Sequence, residues 1–253
     1  MGFWLAKFVL LGPLLRLIWR PWIAGRENIP DDRPAILASN HLSFCDSFFL
    51  PLLAPRKVTF LAKAEYFTTP GVKGLISRMF FSGVGQVPID RSDSDASRAA
   101  LATGARVLGA GNNLLGIYPE GTRSPDGRLY RGKTGVARLA LETGAVVIPC
   151  AMVNTEIIQP TGRLIPKFRP RPGVQIGKPL DFARYEGMAG DRFVERSVTD
   201  EIMYALMELS GQEYVDAYAA DVKKASGADA VAFGSRPEAV RELGDRHPDS
   251  RAS

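Results

Sequence analysis

The sequence predicts an α/β fold: a single domain with a largely parallel central sheet flanked by helices, plus an N-terminal apolar membrane-interface helix. Three observations carry this expectation. Short apolar runs of strand length recur through the body of the chain. Stretches with helical spacing of apolar residues lie between them. A strongly apolar segment opens the sequence.

Residues 1–19 are apolar except for interruptions at Lys7 and Arg16, and Pro13 would kink a helix there. The longest uncharged stretch, residues 8–15, is far shorter than the roughly 20 apolar residues a spanning helix needs. No small-residue cleavage site follows, which argues against a secretory signal. Trp4, Trp19 and Trp22 lie near basic residues, as suits a headgroup boundary. Residues 1–22 are therefore expected to lie in a membrane interface, making the protein monotopic or peripheral on the cytoplasmic face. The alternative is a helix packed on the domain core.

Residues 23–224 are expected to form the domain. Residues 35–38, 58–61, 114–118 and 145–148 read as buried strands, with a further strand at 84–89 shortened by Pro88 and a weaker one at 174–176. Helices are expected at 97–108 and at 135–142, where Gly144 is placed to end the second. Residues 191–224 read as helix through Phe193, Ile202, Leu206 and Leu209, with a break at Ser210-Gly211. Residues 225–253 are rich in Ala, Gly, Ser, Pro and charge and are expected to be a poorly ordered tail.

Composition narrows the function classes. The net charge of +5 admits nucleic acid, an anionic membrane surface or an anionic substrate as partner. The basic residues are scattered and no recognition motif is present, so no nucleic acid partner is expected. The two histidines, His41 and His247, exclude a multi-histidine metal site, and His247 lies in the tail. With no Cys-x-x-Cys and no His-Glu-x-x-His, no metal is expected. Cys45 and Cys150 are too few for a disulfide framework and sit beside apolar residues. Buried free thiols in a reducing compartment are the expectation.

The stretch Asn40-His41-Leu42-Ser43-Phe44-Cys45-Asp46 carries the first chemistry. His41 follows a strand at its C-terminal end, where open α/β sheets place ligands. If the chain turns into helix there, Asp46 can reach back to one imidazole nitrogen and leave the other as a base. A lone His-x4-Asp is a weak signal. A second feature is Tyr118-Pro119-Glu120-Gly121-Thr122-Arg123-Ser124. Gly121 lets backbone approach a ligand, Thr122 offers a hydroxyl, and Arg123 offers a planar fork suited to phosphate. Lys63 and Arg91 also stand just past strand ends. In a parallel sheet Lys63, Arg91 and Arg123 would gather on the same edge as His41. Cations beside a poised base imply a phosphate-bearing substrate with a hydroxyl to be deprotonated.

This combination resembles the glycerophosphate acyltransferase family, the group that includes 1-acylglycerol-3-phosphate acyltransferases. Asn40-His41-x4-Asp46 matches its catalytic block, residues 85–91 its second, Pro119-Glu120-Gly121-Thr122-Arg123-Ser124 its third, and Val147-Ile148-Pro149 its fourth. The resemblance covers residues 25–180. It implies that His41 is the general base and Asp46 its partner. It implies that Arg91, Glu120, Gly121, Thr122 and Arg123 hold the glycerol phosphate, with Lys63 and Lys133 near the phosphate and Pro149 shaping the acyl-chain side. Pro88 stands where the family often has an aromatic residue, and Tyr118 where it often has Phe. Both departures bear on the acceptor more than on the reaction.

The resemblance implies direct transfer of a fatty acyl group from acyl-CoA to the free hydroxyl of lysophosphatidate, giving phosphatidate for phospholipid biosynthesis. Acyl-CoA is a co-substrate and no cofactor is expected. Glycerol 3-phosphate is the competing acceptor. The first helix and Phe48-Phe49-Leu50 are expected to supply an apolar groove for the extra chain of lysophosphatidate. Ser43 and Cys45 are rival nucleophiles for an acyl-enzyme route. Two further readings belong to other classes. Gly127-Arg128-Leu129-Tyr130-Arg131-Gly132-Lys133-Thr134 fits the P-loop pattern and would imply nucleotide binding, although the preceding strand ends near Tyr118. A catalytically inactive membrane-binding module would use residues 1–22 alone.

Overall fold

The computed structural model describes residues 11–63, 70–71, 74, 86–89, 96–160, 163 and 165–225. The elements run in the following chain order: helix α1 (Leu11–Trp19), strand β1 (Trp22–Ala24), β2 (Ala35–Ser39), α2 (Asp46–Leu53), β3 (Val58–Lys63) and β4 (Gln86–Ile89). Then come α3 (Ala96–Gly109), β5 (Leu114–Ile117), β6 (Leu129–Tyr130), α4 (Gly135–Thr143), β7 (Val146–Val153) and α5 (Thr155–Ile158). The last are β8 (Gly173–Ile176), α6 (Arg192–Ser210), β9 (Tyr214–Val215) and α7 (Ala219–Ala225). Among the described residues, seven strands form one sheet in the order β1-β8-β7-β2-β5-β3-β4. All pairs are parallel except β7 with β8. The expected α/β domain with a largely parallel sheet is present.

β2 lies centrally, between β7 and β5, and every one of its residues is buried. Side chains alternate across a strand, so it feeds both faces. Ala35 and Leu37 join a core layer with Phe49 and Leu50 of α2 and Phe60 of β3. Ile36 and Ala38 join the opposite layer with Leu108 of α3, Val136 and Leu139 of α4, and Ile202 and Leu206 of α6. A parallel strand covered on both sides reads as a continuous apolar run, which is how the sequence shows it.

Helix ends follow their local signals. Gly144 stops α4 in the left-handed region, at φ 66°. Asp191 caps α6, its carboxylate accepting from the Phe193 and Val194 amides. The expected helix of 191–224 is two, α6 and α7, parted at Gly211 with β9 between them.

Three features differ from the sequence reading. β7 continues through Pro149, where a strand end was expected. Its antiparallel pairing with β8 begins only at Cys150, so the proline stands outside that ladder. β6 and β9 pair as a small parallel sheet of two-residue strands, too short for any periodicity to reveal. Trp22 belongs to β1, so the boundary at residue 22 falls inside the sheet.

Helix α1 packs Leu15 and Trp19 against the core, with the Trp19 ring edge-on to Phe49 at 6.2 Å. Leu14 and Leu17 of the same helix are exposed. Residues 1–10 and the tail from 226 lie outside the described residues. Among the described residues no helix is long and apolar enough to cross a membrane, and no metal-type cluster of His, Cys, Asp and Glu forms.

Candidate active site

His41 follows β2 at the C-terminal edge of the sheet, and Asp46 opens α2. The imidazole Nδ1 lies 2.9 Å from Asp46 Oδ2. The same oxygen accepts the Leu42 and Ser43 amides at 2.7 and 2.8 Å. The turn from strand to helix is therefore wound around one carboxylate oxygen. An ionised carboxylate only accepts, so the imidazole carries its proton on Nδ1 and its lone pair on Nε2. The Asp46 side chain is fully buried, while 16% of His41 remains exposed, which leaves the ring reachable.

The ring stacks on Tyr118 at 3.8 Å and 11° between planes, and Tyr118 stacks on Phe60 at 5.1 Å. Burial, reinforced by the Asp46 charge, pushes the Tyr118 phenol well above its ordinary range. It is a neutral platform at physiological pH. Stacking and the Asp46 bond together fix the imidazole plane.

The His41 turn and the turn after β5 are laced together. The His41 N–H donates to Glu120 Oε2 at 3.1 Å, and the Ser124 N–H donates to the His41 carbonyl at 2.7 Å. Glu120 Oε1 accepts the Tyr130 N–H at 3.0 Å. With both oxygens on backbone amides and 1% exposure, Glu120 cannot face a phosphate. In this geometry it ties the His41 turn to β6 and acts as a positioning residue. Burial raises its carboxyl to about 8, against the pull of the two amides.

The cations behave otherwise. Gly121 has φ 73°, and a Cβ there would lie 3.1 Å from Lys133 Cε and 3.3 Å from its Nζ. The Lys133 ammonium thus lies over the Gly121 turn, and its side chain is exposed. Lys133 is anchored by its N–H, 2.8 Å from the Pro119 carbonyl. Lys223, on α7, donates to Thr122 Oγ1 at 3.0 Å. Burial, and then the neighbouring Arg123 charge, lowers Lys223 while Glu120 opposes. Gly121, Thr122, Arg123, Lys133 and Lys223 thus gather on one turn beside His41. Lys63 ends β3 opposite Ile89 in register, on the same sheet edge. Arg91 lies outside the described residues.

The other motif residues build the frame. Asn40 is buried, with its Oδ1 accepting the Met152 N–H at 2.7 Å and its Nδ2 donating to Gln212 Oε1 at 2.6 Å. Ser43 Oγ donates to the Gln159 carbonyl at 2.9 Å, and Cys45 Sγ to Gln159 Oε1 at 3.0 Å. Burial, then the Asp46 charge, pushes the Cys45 thiol up to about 12, so it is a poor nucleophile. Both cysteines are free and buried, as expected. Of Phe48, Phe49 and Leu50, expected to line a groove, Phe49 and Leu50 are buried in the core. Phe48 is half-buried and meets the exposed Phe44 edge-on at 5.0 Å.

The P-loop pattern does not form a phosphate cradle. Its middle is β6, whose Leu129 and Tyr130 are fully buried. The amides that would face phosphate are taken: Leu129 by the Glu213 carbonyl, Tyr130 by Glu120, Arg131 by the Val215 and Ala217 carbonyls, and Lys133 by the Pro119 carbonyl.

Sequence reasoning missed Lys223, Asn40 as a strand tie, and Gln159. Lys223 stands 101 residues from its partner, and no local pattern marks it.

A family model described as Acyltransferase matches residues 20–153. A chloroplastic 1-acyl-sn-glycerol-3-phosphate acyltransferase of Arabidopsis thaliana is 37% identical over 141 residues, 55% of this chain and 38% of that protein. A 1-acyl-sn-glycerol-3-phosphate acyltransferase of Borreliella burgdorferi is 29% identical over 133 residues, 53% of this chain and 51% of that protein. The chain spans about two-fifths to half the length of the curated relatives it matches. A crystal structure of the 1-acyl-sn-glycerophosphate acyltransferase from Thermotoga maritima shares the fold, with TM-score 0.56 and 24% identity, covering 82% of this chain and 83% of that one. With the matching model spanning more than half of the sequence, this chain belongs to the Acyltransferase family.

Proposed function

We propose that this protein transfers a fatty acyl group from acyl-CoA to the free hydroxyl of 1-acylglycerol 3-phosphate, giving phosphatidate, at the cytoplasmic face of a membrane. The observation that carries the reading is the His41–Asp46 pair, with Nδ1 held at 2.9 Å, beside a turn gathering Arg123, Lys133 and Lys223. His41 Nε2 takes the proton of the acceptor hydroxyl. The oxygen attacks the thioester carbonyl, the C–S bond breaks, and the imidazolium returns its proton to the departing thiolate. Asp46 stabilises the imidazolium through Nδ1–H. The acceptor phosphate rests against the cationic turn, and the motif resemblance assigns Lys63 and Arg91 to the same phosphate.

Glycerol 3-phosphate offers the same phosphate and hydroxyl without the chain. The exposed Phe44, three residues from His41, favours the acceptor that brings a chain. The names of the matched relatives favour it too.

The test is thiol release from acyl-CoA, and from an acyl-carrier-protein thioester in parallel, against both acceptors, with products identified by mass. Phosphatidate should form, and His41→Ala should cut turnover by at least about a hundredfold. Near-native turnover in that variant would refute the mechanism. Acylation of glycerol 3-phosphate alone would refute the acceptor.

A further inference from the structure

Four large apolar side chains stand in solvent on two segments far apart in sequence. Leu14 and Leu17 of α1 are 52% and 77% exposed, and Ile165 and Phe168 are 81% and 69% exposed. Soluble surfaces rarely leave such groups clustered without a use.

The two segments are fastened together. Trp19 Nε1 donates to the Lys167 carbonyl at 2.7 Å, and its indole stacks on Phe168 at 6.1 Å. Arg171 Nε donates to the Arg20 carbonyl at 2.8 Å. Charge on both segments has one sign. Residues 1–26 and 157–180 contain no Asp or Glu. Arg16, Arg20, Arg163, Lys167 and Arg169 are exposed among the apolar groups.

We infer that residues 165–171 and α1 form one composite docking face for an anionic phospholipid surface, with Ile165 and Phe168 entering the acyl boundary beside Leu14 and Leu17. Apolar side chains interleaved with cations suit the headgroup boundary, where the first are desolvated and the second meet lipid phosphate. With cations and no carboxylate in either segment, charge complementarity favours an anionic partner. The face also adjoins the dyad. Gln159, which receives Ser43 and Cys45 of the catalytic turn, donates its Nε2 to the Arg163 carbonyl at 3.2 Å. A lipid acceptor could then reach His41 without leaving the interface. The inference extends the acyl-transfer reading but does not depend on the acceptor, because binding is measured without substrate.

The experiment is flotation of the full chain with phosphatidylcholine vesicles, with and without phosphatidylglycerol. The double substitution Ile165→Ser with Phe168→Ser should weaken binding to the mixed vesicles at least about tenfold. Lys167→Gln with Arg169→Gln should weaken it by a similar factor there and leave binding to phosphatidylcholine alone unchanged. Phe168 touches Trp19, so a second measurement guards against misfolding. An environment-sensitive dye on Ile165→Cys labels one site, since both native thiols are buried. Its emission should shift to the blue on mixed vesicles. Native-like flotation of both double variants, or unchanged dye emission, would overturn the inference. Lipid-independent self-association abolished by the same substitutions would assign the face to a second copy and overturn it equally.

Discussion

His41 and Glu120, 79 residues apart in sequence, are joined by a 3.1 Å hydrogen bond from the histidine's own backbone N–H to the glutamate carboxyl oxygen. The dyad is thus held from two directions, through its ring by Asp46 and through its main chain by Glu120. Each hold can be tested separately.

Asp46→Asn should keep the fold and lower turnover by about ten- to a hundredfold, less than His41→Ala. Three donors converge on one oxygen, so an asparagine will place its carbonyl there and keep the tautomer. What it loses is the charge facing the imidazolium. Asp46→Leu leaves two buried amides without an acceptor and should also lower Tm, at a cost of about 2–6 kcal/mol for the two. Equal Tm losses in both variants, read by thermal denaturation, would refute the distinction.

Glu120 gives a pH signature. Its folded-state carboxyl is raised by burial from 4.5 to about 8. The folded protein therefore holds this proton where the unfolded chain has released it. The stability tied to it is full below about pH 4.5 and declines as pH rises to about 8. In Glu120→Gln the amide NH2 must face a backbone N–H, leaving one buried donor unmet at about 1–3 kcal/mol. The Tm deficit of this variant should be largest in acid and narrow toward pH 8. A deficit that widens over that range would contradict the assignment.

Lys223→Ala should raise the acceptor KM about tenfold with a smaller effect on kcat, since a cation on the phosphate acts on binding. Lys223→Arg should recover most of the loss. On an acceptor lacking phosphate, native and variant should converge. An equal loss on both acceptors would mark Lys223 as structural.

Gly121→Ala forces a side chain into the left-handed region, at about 1–2 kcal/mol, and pushes against the flexible end of Lys133. Lower Tm and a raised acceptor KM should appear together. A changed Tm with native KM would show that Lys133 does not serve the phosphate.

The sheet was legible because its central strands are covered on both faces and appear as apolar runs. The dyad was legible because His41 and Asp46 are five residues apart on a strand-to-helix turn. The letters around Glu120 fit a substrate motif, while its direction depends on amides from β6 and the His41 turn, which no local pattern shows. Lys223 was invisible because its meaning arises only when α7 folds back onto Thr122. The P-loop letters misled for the mirror reason: the pattern names residues and not the free amides that would make it work.

Ser43 Oγ and Cys45 Sγ, the two rival nucleophiles on the His41 turn, are both tied to Gln159. If the proposed direct transfer holds, donor and acceptor occupy the protein simultaneously, and initial-rate plots should intersect where a two-stage exchange would give parallel lines. Without an acceptor in place, the donor thioester should survive contact with the enzyme intact.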